Sequence, residues 1–240
     1  MNDAVVLLSG GMDSTTALYW AIKQKHIRVA ATVHFTYGQL GSEWEFAAAG
    51  QVNVRASDKA GYPIPLHHII LPMKQYSLLQ WENADLSPGR KDSHGKPSTF
   101  VPGRNLIQLA MVLPIAYTCD AGLIVGGWNQ IDVDYPDCRR GFLESAAITL
   151  GLALEEPIDI VYPLIDMAKK EIVALGTRLE VPWSLTRSCY SSDKAPCGVC
   201  DSCLLRVAAF HQNGMTDPAY RTLEGWISAK ATAFEQDYLS

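Results

Sequence analysis

Ala4-Val5-Val6-Leu7-Leu8-Ser9-Gly10-Gly11-Met12-Asp13-Ser14-Thr15-Thr16 is the stretch that decides the fold. The unbroken apolar run from Ala4 to Leu8 suits a strand buried on both faces, because a strand with one wet face alternates apolar and polar side chains. It stops at Ser9-Gly10-Gly11, and a helix is expected from about Ser14 to Lys25. The two glycines remove Cβ atoms that would keep an anion away from backbone N–H groups. The Ser and Thr hydroxyls and the helix N-terminus add donors and a favourable dipole. The plain alternative is a Gly-rich turn with an Asp or Ser cap. An acidic Asp13 in an anion site makes sense if magnesium bridges it to phosphates. The loop has neither the Lys of a Walker A loop nor a Gly-x-Gly-x-x-Gly run, so γ-phosphate and hydride transfer are not indicated.

Outward from this unit, strands and helices alternate. Val29 to Phe35, Leu66 to Leu71, Gly122 to Gly126 and Ile158 to Tyr162 read as strands. Glu43 to Ala60, Asn105 to Cys119, Phe142 to Leu154 and Asp166 to Leu179 read as helices. Such alternation predicts right-handed crossovers and a parallel sheet with helices on both faces, whose ligands sit at the carboxyl ends of the strands. Leu106 to Trp128 is the most apolar stretch, but Gln108, Pro114, Thr118 and Asp120 interrupt it, and it reads as a buried helix feeding a buried strand rather than a membrane span. Tyr76 to Phe100 is rich in Pro, Gly, Ser, Asp and Lys, as an active-site lid would be. After Pro182 the alternation ends in a cysteine cluster, a helix from about Asp201 to Gln212 and another near Tyr220 to Phe234. The expected division is an α/β domain over 1–182 and a cysteine-rich helical region over 183–240. His67-His68 reads as structural, since adjacent strand residues point to opposite faces. Trp81 and Trp128 could stack on a base or simply pack.

The chain has 240 residues, with 48% hydrophobic and 19% charged residues, which is globular composition rather than disorder. A net charge of −5 gives no electrostatic reason for tight duplex nucleic-acid binding and favours small-molecule partners. Six cysteines are too few for a disulfide-built secreted fold, and Met1-Asn2-Asp3 lacks a basic leader, so a reducing cytoplasm is expected. Four of the six form one group: Cys197, Cys200 and Cys203 lie in Cys-Gly-Val-Cys-Asp-Ser-Cys, with Cys189 eight residues upstream. Four thiolates at short spacing match a closed tetrahedral zinc site, which orders a loop too poor in apolar residues to order itself. With no open position such a site is structural rather than hydrolytic. An iron–sulfur cluster is the competing reading.

The Ser9-Gly10-Gly11-Met12-Asp13-Ser14 loop resembles that of the N-type ATP pyrophosphatases, a superfamily with a Rossmann-like sheet of the HUP, or adenine nucleotide alpha hydrolase, type. The resemblance implies attack of a substrate oxygen on the α-phosphate of ATP, with release of pyrophosphate. Ser188-Cys189-Tyr190, the run from Cys197 to Arg206 with Phe210, Phe100-Val101-Pro102-Gly103-Arg104-Asn105, and Tyr135-Pro136-Asp137-Cys138-Arg139 followed by Phe142 narrow it. Together with Tyr37-Gly38-Gln39 and Lys169 before Glu171-Ile172-Val173, they resemble the 7-cyano-7-deazaguanine synthases from Leu8 to Phe210.

That resemblance implies a cytoplasmic, homodimeric ligase of queuosine biosynthesis with ATP, magnesium and zinc. It would adenylate the carboxylate of 7-carboxy-7-deazaguanine, aminate it with ammonia, and touch neither nucleic acid nor membrane. Asp13, Lys169 and Arg104 are then the catalytic candidates. Leu8, Ser9, Gly10, Gly11, Met12, Asp13, Ser14, Thr15, Thr16, Ala17 and Leu18, with Gly103 and Arg104, would hold the nucleotide. Tyr37, Gln39, Asp132, Asp137 and Arg139 would hold the base, a carboxylate accepting its paired N–H groups; either Asp could instead cap a helix. Cys189, Cys197, Cys200 and Cys203 would hold zinc. Where that family carries Asp-Tyr-Gly-Gln-Arg-His, this chain has Thr36-Tyr37-Gly38-Gln39-Leu40-Gly41, and a Ser-Gly before Tyr135 is missing. These departures leave the amine open between ammonia and a protein amine, as in relatives beside antiviral genes. An idle nucleotide-binding relative and a tRNA thiolase relative are the remaining alternatives.

Overall fold

A computed structural model describes residues 2–71, 89–131 and 135–220. Asp132, Trp81, most of the expected 76–100 lid and the expected helix from Tyr220 to Phe234 fall wholly or mainly outside them.

The elements are β1 (Asn2–Leu7), α1 (Met12–Lys23), β2 (Ile27–Thr36), α2 (Ser42–Ala60), β3 (Leu66–Ile70), α3 (Arg104–Thr118), β4 (Leu123–Val125), α4 (Arg140–Leu154), β5 (Asp159–Val161), α5 (Lys169–Arg178) and α6 (Asp201–His211). Short 3₁₀ turns occupy Pro136–Cys138 and Trp183–Leu185. All five strands are parallel, in the order β3-β2-β1-β4-β5.

The strand period assigns each face its own core. Ala4, Val6 and Leu8 join Leu18, Val52, Ile172 and Phe210 on the face covered by α1, α2, α5 and α6. Val5 points the other way and joins Leu109, Val112, Ile124, Leu143 and Leu150 under α3 and α4. The chain thus winds from β1 through β2 to β3 over one face, then crosses to β4 and β5 over the other. The reversal lies between β1 and β4, and a crevice opens at their carboxyl ends, where such sheets bind ligands.

Two expectations change. The helix in the most apolar stretch is not buried all round: α3 buries Asn105, Leu109, Val112 and Ala116 but exposes Leu106, Met111 and Tyr117, since only one stripe of a helix can face the sheet. The helix expected from Asp166 begins instead at Lys169, where the Glu171 carboxylate accepts the Ala168 N–H at 2.7 Å. No helix among the described residues is long and apolar enough to cross a membrane.

Candidate functional site

The loop after β1 is clamped on three sides. A Cβ on Gly10, which has φ +81°, would meet the Ala49 nitrogen at 2.7 Å and the Glu45 carbonyl oxygen at 2.8 Å, so α2 packs directly on it. A Cβ on Gly127, just past β4, would meet the Asp13 carbonyl carbon at 2.5 Å. From the cysteine-rich side, the Arg187 N–H donates to the Gly10 carbonyl at 2.8 Å. Within the loop, Ser9 Oγ and Ser14 Oγ lie 2.9 Å apart, and the Gly11 N–H donates to Ser9 Oγ at 3.2 Å. Burial divides the expected nucleotide-binding run. Ser9, Gly11 and Asp13 reach the surface, with Gly10 and Ser14 just beneath it. Leu8, Met12, Thr15, Thr16, Ala17 and Leu18 lie inside, where they anchor the loop.

Lys169, first residue of α5, donates to Asp13 Oδ2 at 2.7 Å. Asp13 Oδ1 is buried and takes no hydrogen bond from a described residue, nor does the hydroxyl of Thr15. An uncompensated carboxylate oxygen beside a turn expected to bind an anion is what a divalent cation would satisfy.

Next to the loop, Tyr37, Gln39, Glu45, Thr99, Arg104, Tyr135 and Tyr190 line a small cleft. They come from the end of β2, the first turn of α2, the approach to α3, the turn before Pro136 and the cysteine-rich loop. The Gln39 side-chain oxygen accepts the Tyr37 N–H at 2.8 Å, while its nitrogen donates to the Phe35 carbonyl at 3.1 Å and to Glu45 Oε2 at 2.9 Å. Burial pushes the Glu45 carboxyl above the usual carboxylate range; the Gln39 donor and the charges of Arg104 and Arg187 pull part of that back. Burial likewise opposes the Arg104 charge, and neighbouring Tyr37, Cys138, Tyr190 and Asp137 more than restore it. Burial also raises the Tyr37 phenol, keeping it protonated.

The other expected base-binding residues are placed differently. Asp137 is buried and accepts the Asn105 N–H at 2.9 Å, so it caps α3 from across the fold. Arg139 is exposed at the start of α4, and Gly103, with φ +68°, is the residue before α3. Trp128 is buried against Gly126. Glu45 was not anticipated from sequence: it shares the first turn of α2 with the exposed Glu43, and two acids there read simply as dipole partners.

The four cysteines converge. The Sγ atoms of Cys189, Cys197, Cys200 and Cys203 lie within 4.8 Å of one another. Cys200 and Cys203 sulfurs are 3.5 Å apart, and those of Cys197 and Cys203 are 3.9 Å apart. A tetrahedron with a metal–sulfur distance of about 2.3 Å has an edge of about 3.8 Å, so the donor set fits a four-coordinate ion. The Cys189 sulfur also accepts N–H groups from Ser191 and Cys197, at 3.4 and 3.2 Å.

This loop and the pocket are built together. Arg187 donates to the carbonyls of Ser191, Asp193 and Lys194, and Tyr190 lines the pocket. Gly41 fits against the Ser191 and Cys189 carbonyls, which a Cβ would meet at 3.2 and 3.3 Å.

Residues 3–214 match the family model described as queuosine biosynthesis protein QueC. The chain belongs to the QueC family. Its similarity to curated relatives covers most of the chain: the 7-cyano-7-deazaguanine synthase of Nostoc punctiforme is 38% identical over 231 residues, covering 90% of this chain and 97% of that protein. The 7-cyano-7-deazaguanine synthase of Methanoculleus marisnigri is also 38% identical, covering 91% of this chain and 98% of that protein. Among solved structures, the U34-tRNA thiolase NcsA from Methanococcus maripaludis with its 4Fe-4S cluster is 19% identical, at a TM-score of 0.45, covering 98% of this chain and 72% of that one.

Proposed function

We propose that this QueC family member uses ATP and magnesium to adenylate the carboxylate of 7-carboxy-7-deazaguanine and passes it to ammonia, on the way to the nitrile. ATP supplies the leaving group: a carboxylate oxygen bonds to the α-phosphorus as pyrophosphate departs, and amine nitrogen then replaces AMP at the carbonyl carbon. A carboxylate is a poor electrophile, so the protein's contribution is positioning and charge neutralisation.

The observation that carries the reading is the Asp13–Lys169 pair at the Ser9–Ser14 loop, with Asp13 Oδ1 buried and without a hydrogen-bond partner among the described residues. Ser9, Gly11 and Ser14 would donate to phosphate oxygens, Asp13 would hold magnesium, and Lys169 would neutralise phosphate charge while fixing the Asp13 carboxylate. Cys189, Cys197, Cys200 and Cys203 would hold zinc as a structural ion.

The test is incubation with 7-carboxy-7-deazaguanine, ATP and magnesium, with and without ammonium, followed by mass spectrometry. AMP and an ammonium-dependent amide or nitrile support the proposal, and absence of AMP refutes it. D13A and K169A should each lower AMP formation at least 100-fold without a large change in melting temperature, as loss of a charge-stabilising group does. One observation favours a second reading, transfer to a protein amine. Leu40 and Gly41 stand where two basic groups are usual, and Gly41 is packed against the cysteine-rich loop with little room for a larger side chain. An adenylate that forms but ignores ammonium would select it.

A further inference from the structure

The pocket beside the phosphate loop has a donor and an acceptor of opposite charge side by side. Gln39 is oriented unambiguously: its oxygen takes a backbone N–H and its nitrogen gives to a backbone carbonyl, so the amide cannot flip without losing both. The NH₂ group therefore faces Glu45, which must present an acceptor oxygen to it. Arg104 lies in the same pocket, close enough to act on the Glu45 carboxyl electrostatically. Guanidinium carries only donors, and carboxylate only acceptors. Tyr37, Tyr135 and Tyr190 supply aromatic wall, and Thr99 is occupied with the Tyr135 hydroxyl at 2.6 Å. Glu45, which lines this pocket, also packs its carbonyl on Gly10, so pocket and phosphate loop share a wall.

We propose that Arg104 and Glu45 read the amide edge of a guanine-like base. Arg104 donates to the ring carbonyl oxygen, Glu45 accepts from the adjacent ring N–H and exocyclic amine, and Gln39 positions the Glu45 carboxylate. This rests on the deazaguanine reading above and moves the base-reading carboxylate from Asp137, which is committed to the start of α3, to Glu45. A carboxylate accepting two parallel N–H bonds matches that edge, and a base bearing an acceptor there is rejected because the half-buried carboxylate meets a lone pair.

Glu45→Gln inverts the pattern. Gln39 still offers its NH₂, so the substituted amide turns its oxygen toward Gln39 and gives its own NH₂ to the ligand, donor against donor. The experiment compares initial rates of AMP formation by wild type and E45Q at saturating ATP and magnesium. The substrates are 7-carboxy-7-deazaguanine and its analogue lacking the exocyclic amine. Wild type should prefer the full substrate at least 10-fold in kcat/KM. E45Q should lose roughly 10- to 150-fold on that substrate and narrow the preference to within about 3-fold, with KM for ATP little changed. Gln39→Met should narrow the same ratio, a readout that mere loss of folded protein does not move. Equal use of both substrates by wild type overturns the proposal whatever the variants do, as does a wild-type ratio retained in folded E45Q. Failure of wild type to form AMP from either substrate refutes the adenylation reading, and this proposal with it.

Discussion

Replacing Arg206 with Met tests the physical link between the cysteine cluster and the phosphate loop. Arg206 is fully buried on α6, donating from Nε to Asp217 Oδ2 at 2.5 Å and from one terminal nitrogen to Asp217 Oδ1 at 3.0 Å. It also donates to Thr186 Oγ at 2.8 Å, Ser188 Oγ at 3.3 Å and the Trp183 carbonyl at 3.1 Å. In R206M the Asp217 side chain, 2% exposed, keeps only the 3.0 Å bond from the Ala219 N–H among the described partners seen here. A buried charge stripped of its partner costs about 3–5 kcal/mol, against a total stability of about 5–15 kcal/mol for a domain. R206M should therefore remain folded but lose a large share of its stability in urea denaturation followed by tryptophan fluorescence. R206M/D217L removes both charges and should recover all but about 1 kcal/mol. Thr186 and Ser188 flank Arg187, whose N–H holds Gly10, so R206M should also raise KM for ATP. A loss below about 1 kcal/mol in R206M, or a double variant as damaged as the single one, would refute the reasoning.

Three further outcomes follow from the same geometry. Gly127→Ala forces a Cβ to 2.5 Å from Asp13 and 2.6 Å from the Ser14 nitrogen; it should cost about 1–3 kcal/mol and raise KM for ATP about 10-fold, whereas Gly122→Ala, with open space around it, should leave KM for ATP unchanged. Elemental analysis should find one zinc ion per chain, and Cys200→Ser should lose it together with AMP formation while circular dichroism keeps most helix signal, because the two sheet cores lie apart from the cysteines; a brown, iron-bearing protein overturns the zinc assignment. Since burial raises the Glu45 carboxyl above its ordinary 4.5, its acceptor form is lost as pH falls through a value higher than that, so kcat/KM for the base should fall on the acid side with a midpoint above 4.5, and E45Q should lack that limb.

The alternation of strand and helix was legible because each period is local: Ala4 to Leu8 and Asp201 to His211 declare themselves within ten or so residues. The cysteine cluster was legible for the same reason, as was the Ser9–Ser14 turn. Strand order was not, because nothing in β4 says that it pairs with β1 rather than β3. That order is what makes a site. It brings Gly127 against Asp13, and it lays the end of β2 and the first turn of α2 beside the phosphate loop. Roles that depend on such meetings could not be assigned from neighbours in sequence. Asp137 and Asn105 are 32 residues apart, yet their hydrogen bond decides that this carboxylate caps a helix. Glu43 and Glu45 are two residues apart, and only the second lines the pocket.

The same logic explains why the cysteine cluster belongs to a site it does not enter. Six of the pocket and loop contacts run through residues 187–191: Arg187 to Gly10, Arg187 to the Ser191, Asp193 and Lys194 carbonyls, Tyr190 at the pocket wall, and the Cys189 carbonyl against Gly41. That segment lies at the edge of the small cluster formed by Cys189, Cys200, Cys203, Val207, Ala208 and Tyr220, which is far smaller than either sheet core. A loop so poor in apolar contacts cannot hold an arginine and a tyrosine in place by burial alone. Four thiolates on one cation would supply that rigidity without taking part in the chemistry. The metal would then bear on catalysis through the position of the Gly10 carbonyl and the Tyr190 ring, which is why its loss should silence the enzyme before it unfolds it.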